Sequence, residues 1–286
     1  MSLCIAAIQP LNTGPKLAAL ITPVRYAIAV AFKHVDPAFP YISDTGTYPP
    51  ESCVFGQLLN ILALLIGMTL YIRFRQVDEM YQSSGRRLLL VFNKFAFGIG
   101  LLAAAGVSIV ANFQESNVLV GHVVGAVLAF ALGTLGYGWT QTIISYRTRL
   151  PGSTHVLCHF RLTLCIFGTV LFLVGITASH LSFKKKKFIT SAKHWKPTDE
   201  GFAEHLVATI SEWLLAILNV AYLLTFLPEF KLFSMDPPQL NFHTTEAIGA
   251  TSDEVALEIS RDTSNQTALT KIDGLSNIKE VDYTHA

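Results

Sequence analysis

Apolar residues in this chain gather into long unbroken runs, and short polar stretches separate one run from the next. Runs of about 20 such residues cross a bilayer core as helices, because a helix satisfies its backbone groups internally. Five runs predict spans at 53–72, 88–111, 118–144, 160–179 and 203–227. A sixth, 17–32, is short, contains Pro23 and carries Arg25 near its middle. An arginine at that depth costs at least ~3 kcal/mol, so a span there requires a partner for Arg25. The pattern predicts an all-α polytopic membrane protein. An N-terminal cytosolic segment covers 1–16, a six-helix transmembrane bundle 17–227 and a cytosolic tail 228–286. The tail is rich in Thr, Ser, Asp and Glu with no long apolar run, the composition of a solvated, disordered segment.

The polar stretch between the first two runs reads Phe39-Pro-Tyr-Ile-Ser-Asp-Thr-Gly-Thr-Tyr-Pro-Pro-Glu51. Pro40, Pro49 and Pro50 preset φ and withhold backbone donors. Asp44-Thr45-Gly46 adds an Asx-type turn followed by a residue tolerant of positive φ. Pro50-Glu51 suits a helix entry, with a carboxylate at the positive dipole end. The stretch therefore predicts a stiff, folded cap over the junction of two helices. Asp44-Thr45-Gly46-Thr47 also spells the aspartic-protease signature. That chemistry needs two carboxylates sharing one proton. One copy is present, flanked by prolines, so the turn reading prevails.

Composition fits the pattern. The chain is 51% hydrophobic and only 14% charged, with mean hydropathy +0.44. A soluble domain carries about 25% charge, so most of this chain faces lipid. The net charge of +1 excludes a globally basic nucleic-acid binder. Cys4, Cys53, Cys158 and Cys165 lack metal-site or disulfide spacing, and Cys158 and Cys165 read as packing on one helix face. No charged region precedes an apolar core at the N-terminus, so no cleavable signal peptide is expected.

Orientation follows from basic residues in short loops. Arg73, Arg75, Arg86 and Arg87 lie between the second and third spans, and Arg147 and Arg149 between the fourth and fifth. These six form a candidate cytosolic basic patch, with both termini on the same side. The loops opposite are the proline-rich cap and 112–117, which holds Glu115 and no base. Lys184–Lys187, Lys193 and Lys196 fall on the non-cytosolic side and oppose this assignment.

Polar groups inside the runs supply the remaining candidates. Gly121, Gly125, Ala129 and Gly133 form a small-residue stripe that suits close helix approach, within the bundle or between two copies of the chain. His205, Glu212 and Asn219 share a face of the last span with Thr209, and that face should point inward. Glu212 is expected to pair with Arg25 or to hydrogen-bond to Asn60, as a buried contact fixing helix register. A wider set lies at the non-cytosolic mouth: His34, Asp36, Asp44, Thr45, Gly46, His122, His180, Glu204 and His205. Membrane lipid hydrolases build sites from such groups. None here forms a metal-binding pair at one-turn spacing, so no metal, cofactor or catalytic residue is assigned.

Several blocks carry a family resemblance: Asp36-Pro37, Pro40-Tyr-Ile-Ser-Asp-Thr-Gly46 with Pro50-Glu51, and Ile109-Val-Ala-Asn-Phe-Gln114. His122-Val-Val-Gly-Ala-Val-Leu128, Gln141-Thr-Ile-Ile-Ser-Tyr146, His194-Trp-Lys-Pro-Thr-Asp-Glu-Gly201 and Glu212-Trp213 follow in order. In these the chain resembles the damage-regulated autophagy modulator (DRAM) family, and the fifth-loop block is most like that of its second vertebrate paralogue. The resemblance implies a six-span protein of lysosomal and late endosomal membranes that promotes autophagy, with links to apoptosis. It implies a luminal cap, cytosolic termini and no established catalytic residues. Expected partners are membrane lipids and, through the cytosolic loops and tail, autophagy or phosphoinositide-kinase machinery. The alternative is a lipid-acting enzyme or lipid carrier with its site at the luminal mouth. A channel is a third reading, and it requires a continuous polar pore.

Overall fold

Helices form where five of the apolar runs predict them, and the first four extend beyond the end of their runs. The computed structural model describes residues 26–37, 39–185 and 195–233. Residues 26–31 are helical (α1). Then come α2 (Glu51–Tyr81), α3 (Arg87–Asn112), α4 (Leu119–Arg147), α5 (His155–Lys185), α6 (Phe202–Leu224) and a short α7 (Leu227–Phe230). Among the described residues there is no strand. The sixth expected span lies largely outside the described residues, as do Arg25 and the tail from 234 onward.

Five of these segments are long and apolar enough to cross a membrane, with mean hydropathy 1.8–2.2 over their best windows. Only 17–28% of those windows is fully buried inside the protein, so much of each helix's surface is open to lipid. Apolar on all sides, such helices suit a membrane and no aqueous surface. Neighbours in sequence pack as neighbours in space, α2 on α3, α3 on α4, and α5 along α6.

Close approach comes from small residues on α3. Its buried face is Ala96, Gly100, Ala103, Ala104, Gly106 and Ala111 with Asn93. A Cβ on Gly106 would sit 2.5 Å from the Ala129 nitrogen and 2.7 Å from the Gly125 oxygen, so only glycine lets α3 and α4 meet there. The middle of α4, Leu128–Gly138, winds as a π-helix.

Two boundaries differ from expectation. The second span runs on to Tyr81, so Arg73 lies inside a helix instead of in a loop. The last span breaks at Thr225–Phe226 and turns into α7, which has a proline in its first turn. Proline disfavours helical geometry in the residue before it and tolerates the start of a new helix. Glu229 and Phe230, expected in the tail, are therefore folded into the bundle and fully buried.

Candidate functional site

The two ends of the bundle are built from different chemistry. At one end the proline-rich stretch folds back over the helices as a lid. Asp44–Gly46 forms a single 3-10 turn, and Thr45 is completely buried. Thr45 Oγ1 donates to the Ile42 carbonyl at 2.8 Å, and Thr47 Oγ1 to the Asp44 carbonyl at 3.0 Å, so the turn closes on itself. Gly46 lies flat on Phe55, where a Cβ would come within 2.6 Å of the ring.

Polar ties then fasten the lid to three parts of the bundle. The Ile42 amide donates to Glu212 Oε2 at 3.0 Å, and Trp213 Nε1 donates to the Pro40 carbonyl at 3.0 Å, both on α6. Ser43 Oγ donates to Glu115 at 3.0 Å in the α3–α4 loop. Tyr41 donates to Ser179 of α5 at 3.1 Å. Burial pushes the Tyr41 hydroxyl pKa up, and Glu212, Asp44 and Glu115 add to the rise, so it stays a donor. His34 pairs with Glu51 at the start of α2.

The candidates at this mouth go to separate partners. His122 Nδ1 donates to the Phe113 carbonyl at 2.8 Å. His205 stacks on Trp195 at 4.2 Å and meets the Tyr41 ring edge-on at 5.2 Å. Glu204 pairs with Lys185. Asp44 is buried within the turn, Asp36 is half-buried beside Pro37, and His180 is exposed. Among the described residues no group of three His, Cys, Asp or Glu side chains could hold a metal ion.

Along the α2–α3 seam, Asn60 exchanges hydrogen bonds with an exposed Asn112 (3.0 and 3.2 Å) and accepts from Ser108 at 2.6 Å, joining α2 to α3. Asn60 thus bonds to Ser108 and Asn112 in place of the anticipated Glu212, and the Arg25 alternative lies outside the described residues. Asn219 accepts from Thr134 at 3.1 Å, linking α6 to the π-helical stretch. The small-residue stripe faces α3 of its own chain, Gly121 against Phe113, Gly125 against Ile109 and Ala129 against Gly106. Gly133 lies 3.9 Å from Ala103 by the same measure. A cavity of about 10 Å³ between Thr134, Cys165, Asn219 and Tyr222 has room for a single water.

The opposite end holds a cluster that the sequence reading missed. Arg73 of α2, Arg161 of α5 and Glu229 of α7 are all fully buried. Arg161 grips Glu229 with both forks, Nη1 to Oε1 at 3.0 Å and Nη2 to Oε2 at 2.9 Å. Arg73 Nη1 reaches Oε2 at 2.9 Å. The remaining guanidinium donors go to neutral acceptors. Arg73 bonds to Gln141 at 3.2 Å and Gln76 at 2.9 Å. Arg161 bonds to Thr225 Oγ1, the Thr225 carbonyl and Ser145 Oγ, each at 2.8 Å. Both guanidiniums also lie over the Phe226 ring, at 4.8 and 4.6 Å. Charges survive in such a place only when paired and fully hydrogen-bonded. The cluster clasps α2, α4, α5 and α7 together.

Arg73 therefore leaves the expected basic patch, whereas Arg75, Arg86, Arg87, Arg147 and Arg149 are exposed. Arg75 pairs with Glu79 one turn on, at 3.4 Å. The other four belong to two connections that meet. Arg86 donates to the Arg147 carbonyl at 3.0 Å and lies over the Tyr81 ring, while the Arg149 amide donates to the Tyr81 hydroxyl at 2.8 Å. Gly152, at φ +83°, seats this second connection on α7, where a Cβ would come within 2.6 Å of the Pro228 oxygen. The exposed arginines thus rest on the buried clasp.

Comparison with known proteins shows the family. The family described as the Frag1/DRAM/Sfk1/Cwh43P N-terminal domain matches residues 16–233. The chain is 38% identical over 212 residues to mouse DNA damage-regulated autophagy modulator protein 2, covering 73% of this chain and 78% of the relative. It is 38% identical over 206 residues to DNA damage-regulated autophagy modulator protein 1 of Xenopus laevis, covering 72% and 83%. It is also 34% identical over 222 residues to the modulator of macroautophagy TMEM150B-B of Xenopus laevis, covering 77% and 81%. No solved structure matches the chain.

Proposed function

The chain belongs to the Frag1/DRAM/Sfk1/Cwh43P family, and from that membership we propose that it is a membrane scaffold that promotes autophagy without catalysing a reaction. It resides in lysosomal or late endosomal membranes, with links to apoptosis. Its lid faces the lumen, and its arginine end and both termini face the cytosol. There the loops engage membrane lipids or recruit partner machinery, including phosphoinositide-kinase complexes.

One observation carries the choice of scaffold over enzyme or carrier. The lid is folded into the bundle, with Thr45 fully buried and ties to Glu212, Trp213, Glu115 and Ser179 holding it down. A lipid substrate entering from the lumen would have to displace all of these. By contrast, the arginine end presents an open, positively charged surface fixed on a rigid floor, the form suited to recruitment.

The test is re-expression in cells from which the gene has been deleted. The wild-type chain is expected to co-fractionate with lysosomal membranes and to raise autophagic flux. Reversing charge at the exposed positions, Arg86→Glu, Arg147→Glu and Arg149→Glu together, should abolish that gain without moving the protein to another membrane. A chain found elsewhere, or a flux gain indifferent to the reversal, would count against the scaffold reading.

A further inference from the structure

The exposed arginines of the two joined connections have a layout that points to a particular kind of ligand. Arg86 occupies the cap position of α3 and Arg87 begins the helix, with no acidic residue in the first turn. Two cations at the positive end of a 26-residue helix are unfavourable. By contrast, α2 and α6 carry Glu51 and Glu204 in their first turns. Among the described residues, no carboxylate pairs with Arg86, Arg87, Arg147 or Arg149. Arg86 is nonetheless held in place by the Arg147 carbonyl and the Tyr81 ring, so the surface is preassembled. An anion seated there would balance the positive end of the helix and the arginines that no carboxylate pairs.

Two further features narrow the class of anion. All four groups are arginines, whose planar forks match the oxygens of a phosphate two at a time, where a lysine offers a point charge. Directly after Arg87 in the chain, Leu88, Val91 and Phe95 are exposed at 83%, 59% and 59% along one face of α3. A phosphate at the arginines would thus lie at the head of an apolar strip running into the membrane. That pairing fits an amphiphile from the adjoining leaflet better than a soluble protein or a free ion.

We propose that Arg86, Arg87, Arg147 and Arg149 bind the phosphomonoester headgroup of a membrane lipid whose acyl chains lie along Leu88, Val91 and Phe95. A monoester carries about −1.5 to −2 charge near neutral pH, against the single diester charge of ordinary phospholipids, so the site selects phosphorylated headgroups. The inference deepens the scaffold reading by naming what its cytosolic face holds.

The experiment is native mass spectrometry of the full chain in detergent, titrated with dioctanoyl phosphatidylinositol 4-phosphate. Dioctanoyl phosphatidylserine, dioctanoyl phosphatidylcholine and the free headgroup inositol 1,4-bisphosphate serve as parallel probes. The phosphorylated lipid is expected to bind at least about tenfold more tightly than either of the other lipids or the free headgroup. Arg87→Gln and Arg149→Gln are each expected to weaken it roughly fivefold. Both side chains are exposed, so an unchanged melting temperature separates lost binding from lost folding. Equal binding of all three lipids, or wild-type affinity in both variants, would overturn the proposal. Free headgroup binding as tightly as the lipid would overturn the acyl seat and with it the choice of a membrane ligand. The cellular test is independent of this one. Lipid binding without restored flux would sink the scaffold reading alone, and restored flux without selective binding would sink this inference alone.

Discussion

Glu229→Ala is expected to remove about 3–5 kcal/mol of stability, the usual result of stripping one partner from a buried ion pair. Here the loss leaves two buried guanidiniums, Arg73 and Arg161, both against the Phe226 ring with no anion between them. For a folded region of this size the loss corresponds to a melting temperature lowered by roughly 6–20 °C. The check is a thermal melt in lipid nanodiscs followed by tryptophan fluorescence. The triple variant Arg73→Met, Arg161→Met, Glu229→Met separates charge from packing. Replacing a whole buried ion cluster with apolar groups of similar volume is often near neutral. That variant should therefore melt well above Glu229→Ala. If it melts at or below Glu229→Ala, the damage comes from lost shape, and the clasp is not electrostatic in origin.

The second large effect is expected at the lid. Glu212 accepts the Ile42 amide, a contact joining residues 170 apart in sequence. A hydrogen bond to a charged group contributes about 1.5–3 kcal/mol. Glu212→Ala should therefore raise the opening of residues 39–50 by roughly 10- to 150-fold, read as faster amide hydrogen exchange in a peptide covering them. Exchange at the arginine end should stay unchanged, because Glu229 and its partners do not touch the lid. Uniformly faster exchange would mean that Glu212 supports the whole bundle and is no local tie. No change at all would mean that Pro40, Tyr41 and Ser43 hold the lid without it.

How much of this could be read from the sequence depends on how local the cause is. The five helices follow from apolar runs, since composition alone decides what a bilayer accepts. The turn at Asp44–Gly46 follows from proline, aspartate and glycine within a few residues. The clasp was hidden for three separate reasons. Arg73 sits just past an apolar run and looks like loop, yet its helix continues to Tyr81. Glu229 follows a proline and looks like tail, yet that proline starts a new turn which aims it inward. Arg161 lies within the fifth apolar run, between Phe160 and Leu162. The rule that an intramembrane charge needs a partner, used for Arg25 and Glu212, applies to Arg161 with equal force and would have demanded an acid nearby. Which acid is a tertiary fact. Spacing cannot reveal that Glu229, 68 positions away, supplies it. For the same reason Asn60 could be recognised as a polar group needing company, while Ser108 and Asn112 as that company could not.

The orientation of the bundle is the claim on which the scaffold reading stands, and side-specific cysteine labelling tests it most directly. In a chain with Cys4 and Cys53 replaced by serine, single cysteines would be placed at Arg87 and at Tyr48, both exposed. A membrane-impermeant maleimide would then be applied to cells with only the plasma membrane opened. Arg87→Cys should label at once, and Tyr48→Cys only after the organelle membranes are dissolved. The reverse pattern would put the lid in the cytosol and the arginines in the lumen, and would contradict the account.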